Sequence, residues 1–213
     1  MFVQVTQGQT SQPEALYEAL DRWRSDLAAR AIGWLGTTAG VTDEGRAIAI
    51  YRFESEDAAR RVSERLDQEE WWAAAQQFFD GEPILRFSSQ VTLDLRGDPD
   101  EAGFVRFRQG RVSDPERAKE LMARHSAEWA ALRPDVLGSI IVEHGDGAYT
   151  MATYFTSRAE ARAGERQEIP PQLQPDMAEM AQLWIGEPEY FDLARPVTLS
   201  PTALQAPVPR GES

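Results

Sequence analysis

Cysteine does not occur anywhere in the 213 residues. Its absence removes disulfides, thiolate metal ligands and cysteine nucleophiles together, and it fits a reducing compartment. Histidine is nearly as scarce, with only His125 and His144. A histidine-built metal site needs more, and neither a His-Glu-x-x-His pattern nor a carboxylate cluster at ligand spacing occurs, so no metal is expected. Basic residues are also short: 22 Lys and Arg stand against 35 Asp and Glu, for a net charge of -13. Such a surface repels phosphate backbones and anionic bilayers, so neither nucleic acid nor a membrane is expected as a partner. The acidic block from Asp98 to Glu101 reads as solvated surface rather than a cation site. No apolar run approaches the ~18 residues that span a bilayer, and the opening "MFVQVTQGQT" lacks the basic and apolar regions of a secretory leader. The chain therefore reads as cytoplasmic. No glycine-rich phosphate loop follows a strand and no Gly-x-Ser-x-Gly elbow occurs, which removes the usual support for nucleotide-dependent and hydrolase chemistry.

What is present is a repeat. "FVQVTQGQTSQPE" (Phe2 to Glu14) returns as "FVRFRQGRVSDPE" (Phe104 to Glu116) at an offset of 102. The same register continues without a gap through Glu18 and Glu120, Arg22 and Arg124, Leu35-Gly36 and Leu137-Gly138, Gly45 and Gly147, Phe53 and Phe155, and Ala59-Arg60 and Ala161-Arg162. Near the end of each copy "GEP" recurs at Gly81 and Gly186, an offset of 105, so the second copy carries three extra residues, placed at the prolines of "IPPQLQP". A period this long is a duplicated domain rather than a solenoid unit.

Each half opens on a short strand ending at a glycine, then a Ser-x-Pro-Glu stretch that supplies a cap and a helix-opening proline. Leu16, Leu20, Trp23, Leu27 and Ala31 recur at helical spacing, as do Ala118, Leu121, Met122, His125, Trp129 and Leu132 in the second copy. Two strands follow around Asp43-Glu44-Gly45 and around Gly145-Asp146-Gly147, a hairpin signal. A Ser-capped helix starts at Ser55 and at Ser157; it runs on through "WWAAAQQFF" in the first copy, and prolines 170, 171 and 175 interrupt it in the second. A last strand is expected after each "GEP", over "ILRFSSQVTLDL" and "EYFDL". Strand, helix, strand, strand, helix, strand is the ferredoxin-like α+β order, with helices on one face of an antiparallel sheet. The expected architecture is two ferredoxin-like βαββαβ repeats packed as an intramolecular pseudo-dimeric α/β barrel. The expected boundaries are 1–95 and 104–195 for the repeats, 96–103 for a linker, and 196–213 for a Pro-rich tail that is extended or disordered. Duplication supplies within one chain the partner that a single copy would find by dimerising, so the expected state is a monomeric pseudo-dimer or a homodimer.

The order of elements, the "FVQVTQG" opening strand, the "RFESEDAARR" passage and its counterpart "YFTSRAEARAGE", and the Trp-containing end of the second helix resemble the antibiotic-biosynthesis monooxygenase-like family of dimeric α/β barrels. The resemblance covers about residues 2–95 and 103–195. It implies a cofactor-independent monooxygenase-like enzyme acting on an aromatic or polyketide-like small molecule, with no cofactor, since the deprotonated substrate itself donates electrons to oxygen. It leaves open a non-catalytic small-molecule binder and a structural or partner-binding protein. The haem-degrading branch of the family uses an axial His on the second helix, and both corresponding stretches here lack one.

Within that frame His125 is the candidate general base, its natural pKa near 6.5 being suited to deprotonating a phenol or anthrone; the alternative is a satisfied histidine on a half-buried helix face. His144, beside a glycine turn, reads as surface. Trp71, Trp72, Trp129 and Tyr154 are candidate substrate-binding aromatics, each of which could equally be core. Trp71 and Trp72 stand out because adjacent helical residues cannot both face one core. Arg124 is a candidate anchor for an acidic substrate, or the partner of Glu120 at helical spacing. The halves differ at Trp23 against His125 and at the unbroken Trp-rich helix against the prolines. Those differences predict unequal cavities and at most one functional pocket, with the second half, which holds both histidines, favoured for polar chemistry and the first for apolar binding.

Overall fold

The computed structural model describes residues 1–201. Among them the chain forms two five-stranded antiparallel sheets, each belonging to its own compact unit, and neither sheet closes on itself. The first unit contains β1 (Phe2–Gln9), α1 (Pro13–Asp26), β2 (Trp34–Val41), β3 (Arg46–Phe53), α2 (Glu56–Ser63), α3 (Leu66–Gln76) and β4 (Ile84–Ser88). The second contains β5 (Val91–Leu95), β6 (Phe104–Arg111), α4 (Pro115–Arg124), α5 (Ser126–Leu132), β7 (Val136–Glu143), β8 (Ala148–Phe155), α6 (Arg158–Glu165), α7 (Gln174–Leu183) and β9 (Glu189–Leu193). A short β10 (Val197–Leu199) returns to the first sheet.

The strand orders β2-β3-β1-β4 and β7-β8-β6-β9 are the ferredoxin-like arrangement, as the repeat predicts. Each sheet gains a fifth strand that the repeat does not announce. "ILRFSSQVTLDL" is two strands: β4 pairs with β1, the chain breaks at Ser89-Gln90, and β5 joins the edge of the second sheet beside β7. β10 plays the reciprocal part beside β2. Gly36 and Gly138 are where these added strands dock, with φ of +147° and +149°. A Cβ on Gly36 would sit 2.8 Å from the Leu199 carbonyl oxygen, and one on Gly138 2.5 Å from that of Asp94. Both positions need the conformational freedom of glycine and its lack of side-chain bulk. The tail expected over 196–213 contains β10, and its part from 202 onward lies outside the described residues.

The predicted helices are present but segmented. Pro13 opens α1, whose buried face carries Leu16, Ala19 and Trp23. Its cap position is Gln12 rather than Ser11, and in the second copy the Asp114 carboxylate accepts from the Arg117 amide at 3.0 Å. Ser55 and Ser157 cap α2 and α6 as predicted, accepting from the amides of Ala58 and Glu160 at 3.1 and 3.2 Å. The long helix expected after Ser55 breaks at Arg65, which is extended, and α3 starts afresh at Leu66. The helix through His125 also breaks there: His125 has φ −123° and ψ 40° and separates α4 from α5. Both hairpin turns use left-handed residues, Gly45 in one and Gly145, Asp146 and Gly147 in the other.

In the first unit the apolar core under the helices joins Phe2, Trp23, Leu27, Trp34, Phe53, Ala58, Val62 and Leu199. Val3, Val5, Ile48 and Ile50, on the opposite face of that sheet, are buried as well. No helix among the described residues is long and apolar enough to cross a membrane.

Candidate functional site

In the first unit a cavity of about 510 Å³ opens between the helix-facing side of the sheet and α2–α3. Strand alternation supplies its floor: Phe2, Gln4 and Thr6 of β1, Tyr51 and Phe53 of β3, and Leu85 and Phe87 of β4 all project to one face. Trp71 and Trp72 form a wall with ring centroids 6.2 Å apart. Their roles divide as adjacency demands. The Trp71 indole N–H donates to the Ala19 carbonyl at 2.8 Å, and its ring packs on the core 6.5 Å from Trp23. Trp72 lies outside that core and faces the cavity. Trp23, packed edge-on against Trp34 at 5.0 Å, donates its N–H to Gln68 at 2.8 Å. Both indole N–H groups are thus satisfied by the protein, and what these rings offer a ligand is their surface.

Polar side chains also line this cavity, among them Tyr51, Thr6, Ser63 and Gln68. Tyr51 makes no hydrogen bond to another described residue. Burial pushes its phenol pKa up, so it stays an uncharged donor. Gln4 sits beside it on the paired strand, and Glu56, Glu69 and Arg60 also contribute to the lining. Among the described residues no group of three or more Asp, Glu or His side chains could hold a metal ion.

The second unit has at the same sheet position something else. Offsets of 102 and 105 carry Gln4 to Arg106, Phe87 to Asp192 and Ser63 to Glu165. Arg106 donates to both carboxylate oxygens of Asp192, at 2.6 and 3.0 Å, and also to Glu165, while Arg162 bonds Asp192 at 2.6 Å and Glu165 at 2.9 Å. A charged cluster therefore fills the space that the first unit leaves open. The second unit's own cavity, about 290 Å³, lies nearer the Gly145-Asp146-Gly147 turn, and its lining includes Arg108, Tyr149, Met151 and Met180.

Of the residues singled out from sequence, Trp71 and Trp72 line the first cavity. His125 stands at the α4–α5 junction with Nδ1 3.5 Å from Glu128 and Nε2 3.7 Å from Asp176, and it lines neither cavity. Arg124 donates to Asp176 at 2.6 Å, so its partner is on α7 rather than Glu120. Trp129 is half-buried on α5, and Tyr154 is fully buried on the sheet face opposite the second cavity. His144 bonds Thr150 at 2.9 Å. The sequence reading passed over Gln4, Phe87 and Arg108. The available signal was the comparison of copies: Gln4 against Arg106 and Thr6 against Arg108 are polarity changes within otherwise matching strands.

The sequence matches no protein-family model and no curated protein. The backbone, by contrast, is similar to solved structures over nearly its whole length. A candidate monooxygenase from Lactobacillus acidophilus NCFM is similar at a TM-score of 0.69 and 11% identity, over 92% of this chain and 93% of that one. Another from Fusobacterium nucleatum subsp. nucleatum gives 0.69 and 11%, over 90% of each chain. An anthrone oxidase-like protein gives 0.62 and 12%, over 92% of each chain. This chain has their fold. The resemblance drawn from the opening strand and the Ser-capped helix thus holds for the duplicated ferredoxin-like backbone, and at such identity it transfers no residue role.

Proposed function

We propose that the first unit binds a flat aromatic, polyketide-like small molecule in its 510 Å³ cavity and oxidises it with dioxygen without a cofactor. The observation that carries this reading is the pairing of ring surfaces, Trp71, Trp72 and Phe87, with a phenol that burial keeps uncharged, Tyr51, in a cavity of ligand size. A planar ligand stacks on the indoles, and its carbonyl or phenolic oxygen accepts from the Tyr51 hydroxyl. The likeness in fold to candidate monooxygenases and to an anthrone oxidase-like protein supports this class of chemistry. For an anthrone the balance is simple. The methylene carbon loses two hydrogens and gains one oxygen atom of O2; the second oxygen atom leaves as water, and the substrate supplies all four electrons. The chain's task is to orient the ring, hold the oxygen that gains charge on deprotonation, and keep bulk water off the reacting carbon.

A second reading is binding without turnover. It is favoured by the acid–base groups on the lining: Glu56, Glu69 and a phenol that burial keeps protonated, with no imidazole among them. Calorimetric titration of the full chain with anthrones and hydroquinones, run beside oxygen-uptake measurements, separates the two. Binding with oxygen uptake above buffer supports the oxygenase, and binding without uptake supports the binder. Absence of binding by every member of the panel overturns both.

A further inference from the structure

We propose that the second cavity is a separate site for a monocarboxylate with an apolar body, anchored by Arg108. This rests on the second unit alone and is independent of the reading of the first cavity.

Arg108 projects from β6 toward the helix side of its sheet and lines the cavity. Its guanidinium carbon is 5.3 Å from the Tyr149 ring centroid and 5.2 Å from that of Trp184, so two aromatic faces hold the planar group in place. Its Nε is buried and makes no hydrogen bond. The neighbouring arginines of this unit are different: Arg106, Arg117, Arg124, Arg133 and Arg162 each pair with a carboxylate. Arg108 pairs with none among the described residues, in a chain whose net charge is -13. A cation held on aromatic faces at a cavity wall, with a buried N–H unspent, is a site that lacks its anion. The fork of a guanidinium fits the two oxygens of a carboxylate.

The remaining lining decides what carries that carboxylate. Met122, Met151, Met180 and Ile141 offer an apolar and adaptable surface, methionine being able to fit ligands of differing shape. Glu116, Glu143 and Asp146 also face this cavity, and the Lys119 ammonium is spent on the first two, at 2.8 and 3.0 Å. A dianion such as a phosphate monoester would meet these carboxylates with one free cation in its favour. A monoanion needs only Arg108. The volume, about 290 Å³, suits a body of roughly ten heavy atoms or fewer, at the small end of ligand cavities.

The test is a calorimetric titration of the full chain with straight-chain and aryl-substituted carboxylic acids of four to ten carbons, each run beside its primary amide and, for the aryl members, beside the matching phosphate monoester. The expected result is that at least one acid binds, that its amide and the phosphate bind about tenfold more weakly or worse, and that Arg108→Met weakens the acid by a similar factor while Trp72→Ala leaves it unchanged. Arg108→Lys, which keeps the charge but not the fork, should lie between. Should Arg108→Met fail to fold, the acid-against-amide comparison on the unaltered chain still decides. No binding by any acid, equal binding of acid and amide, or a preference for the phosphate would overturn the assignment.

Discussion

Arg106 and Asp192 stand directly opposite one another on β6 and β9, with Nε 2.6 Å from Oδ1, at the register where β1 and β4 of the first unit oppose Gln4 and Phe87. The backbone at the two places is the same, and the side chains decide whether it encloses a cavity or a salt-bridge cluster. Gln4 and Phe87 leave room above the sheet for a ligand. Arg106 and Asp192, with Glu165 and Arg162, fill it. Duplication has thus produced two sheets of one design with different interiors, and the differences follow from a few substitutions at matched positions.

The Arg106 cluster makes the second unit acid-sensitive. Burial pushes the Asp192 and Glu165 carboxyls up, but the hydrogen bonds and charges of Arg106 and Arg162 outweigh it and hold both below their ordinary values of 3.8 and 4.5. Depressed carboxylates contribute stability that is complete above the unfolded values and is lost as pH falls through the folded ones. Asp192→Asn should therefore cost about 1–3 kcal/mol at pH 7, and its gap from the unaltered chain should narrow toward pH 3. Arg106→Gln with Asp192→Phe, which copies the first unit's pair, should cost less than the two single changes added, with a coupling of about 1 kcal/mol or more. Urea denaturation at pH 7, 5 and 3 reads both quantities. A gap that stays constant with pH would show that the cluster is not the source.

Gly138 and Gly36 test the added edge strands. At Gly138 a Cβ would lie 2.5 Å from the Asp94 carbonyl oxygen and 2.8 Å from the Leu95 Cα, and neither backbone atom belongs to a group that can swing aside. With φ in the region that favours glycine, Gly138→Ala should cost about 2 kcal/mol or more and release β5 before the rest of its sheet. Hydrogen exchange would show this as lost protection at Thr92 and Asp94, whose amides face β7 in the ladder, while the β6–β8 ladder stays protected. Gly145→Ala, a left-handed glycine with open space around its Cβ position, should cost only about 1 kcal/mol.

These edge strands also mark where sequence reading stops. The order of elements was legible because each depends on local signals: the alternation in "FVQV", the proline at position 13, the serine caps and the glycine turns. β5 and β10 were not legible as members of the sheets they join, because a strand's partner is set by tertiary packing and not by its own residues. "ILRFSSQVTLDL" alternates well enough to read as one strand, and only the break at Ser89-Gln90 distinguishes it. The site was half legible. Trp71 and Trp72 could be found because two adjacent large rings on a helix cannot share a core. Arg108 could not be ranked above its neighbours, because what distinguishes it is that no carboxylate among the described residues pairs with it, and that is a property of the folded chain.

Trp71 and Trp72 should separate stability from binding. Trp71 holds the Ala19 carbonyl and packs beside Trp23, so Trp71→Ala should destabilise the first unit by about 3 kcal/mol. Trp72 makes no such bond and lies outside the core, so Trp72→Ala should cost less than about 1 kcal/mol yet weaken an anthrone or hydroquinone ligand by about tenfold. Thermal melts with and without ligand read both effects. A Trp72→Ala chain that melts early but binds normally would place Trp72 in the scaffold instead.

Tyr51 supplies the sharpest test of the first cavity. Its hydroxyl has no partner among the described residues, so Tyr51→Phe removes an unbonded donor and should leave stability at pH 7 within about 0.5 kcal/mol. The raised pKa adds a second signature. Between its ordinary value of 10.0 and the higher folded one, only the unfolded chain ionises there, so the unaltered protein loses stability as pH rises past 10 and Tyr51→Phe loses less. Binding should respond the other way. A ligand with a carbonyl or phenolic oxygen should bind Tyr51→Phe about tenfold more weakly, whereas the same ring system without oxygen should bind both chains alike. If the variant weakens both ligands equally, Tyr51 contributes shape rather than a hydrogen bond, and the oxygen-holding role assigned to it is wrong.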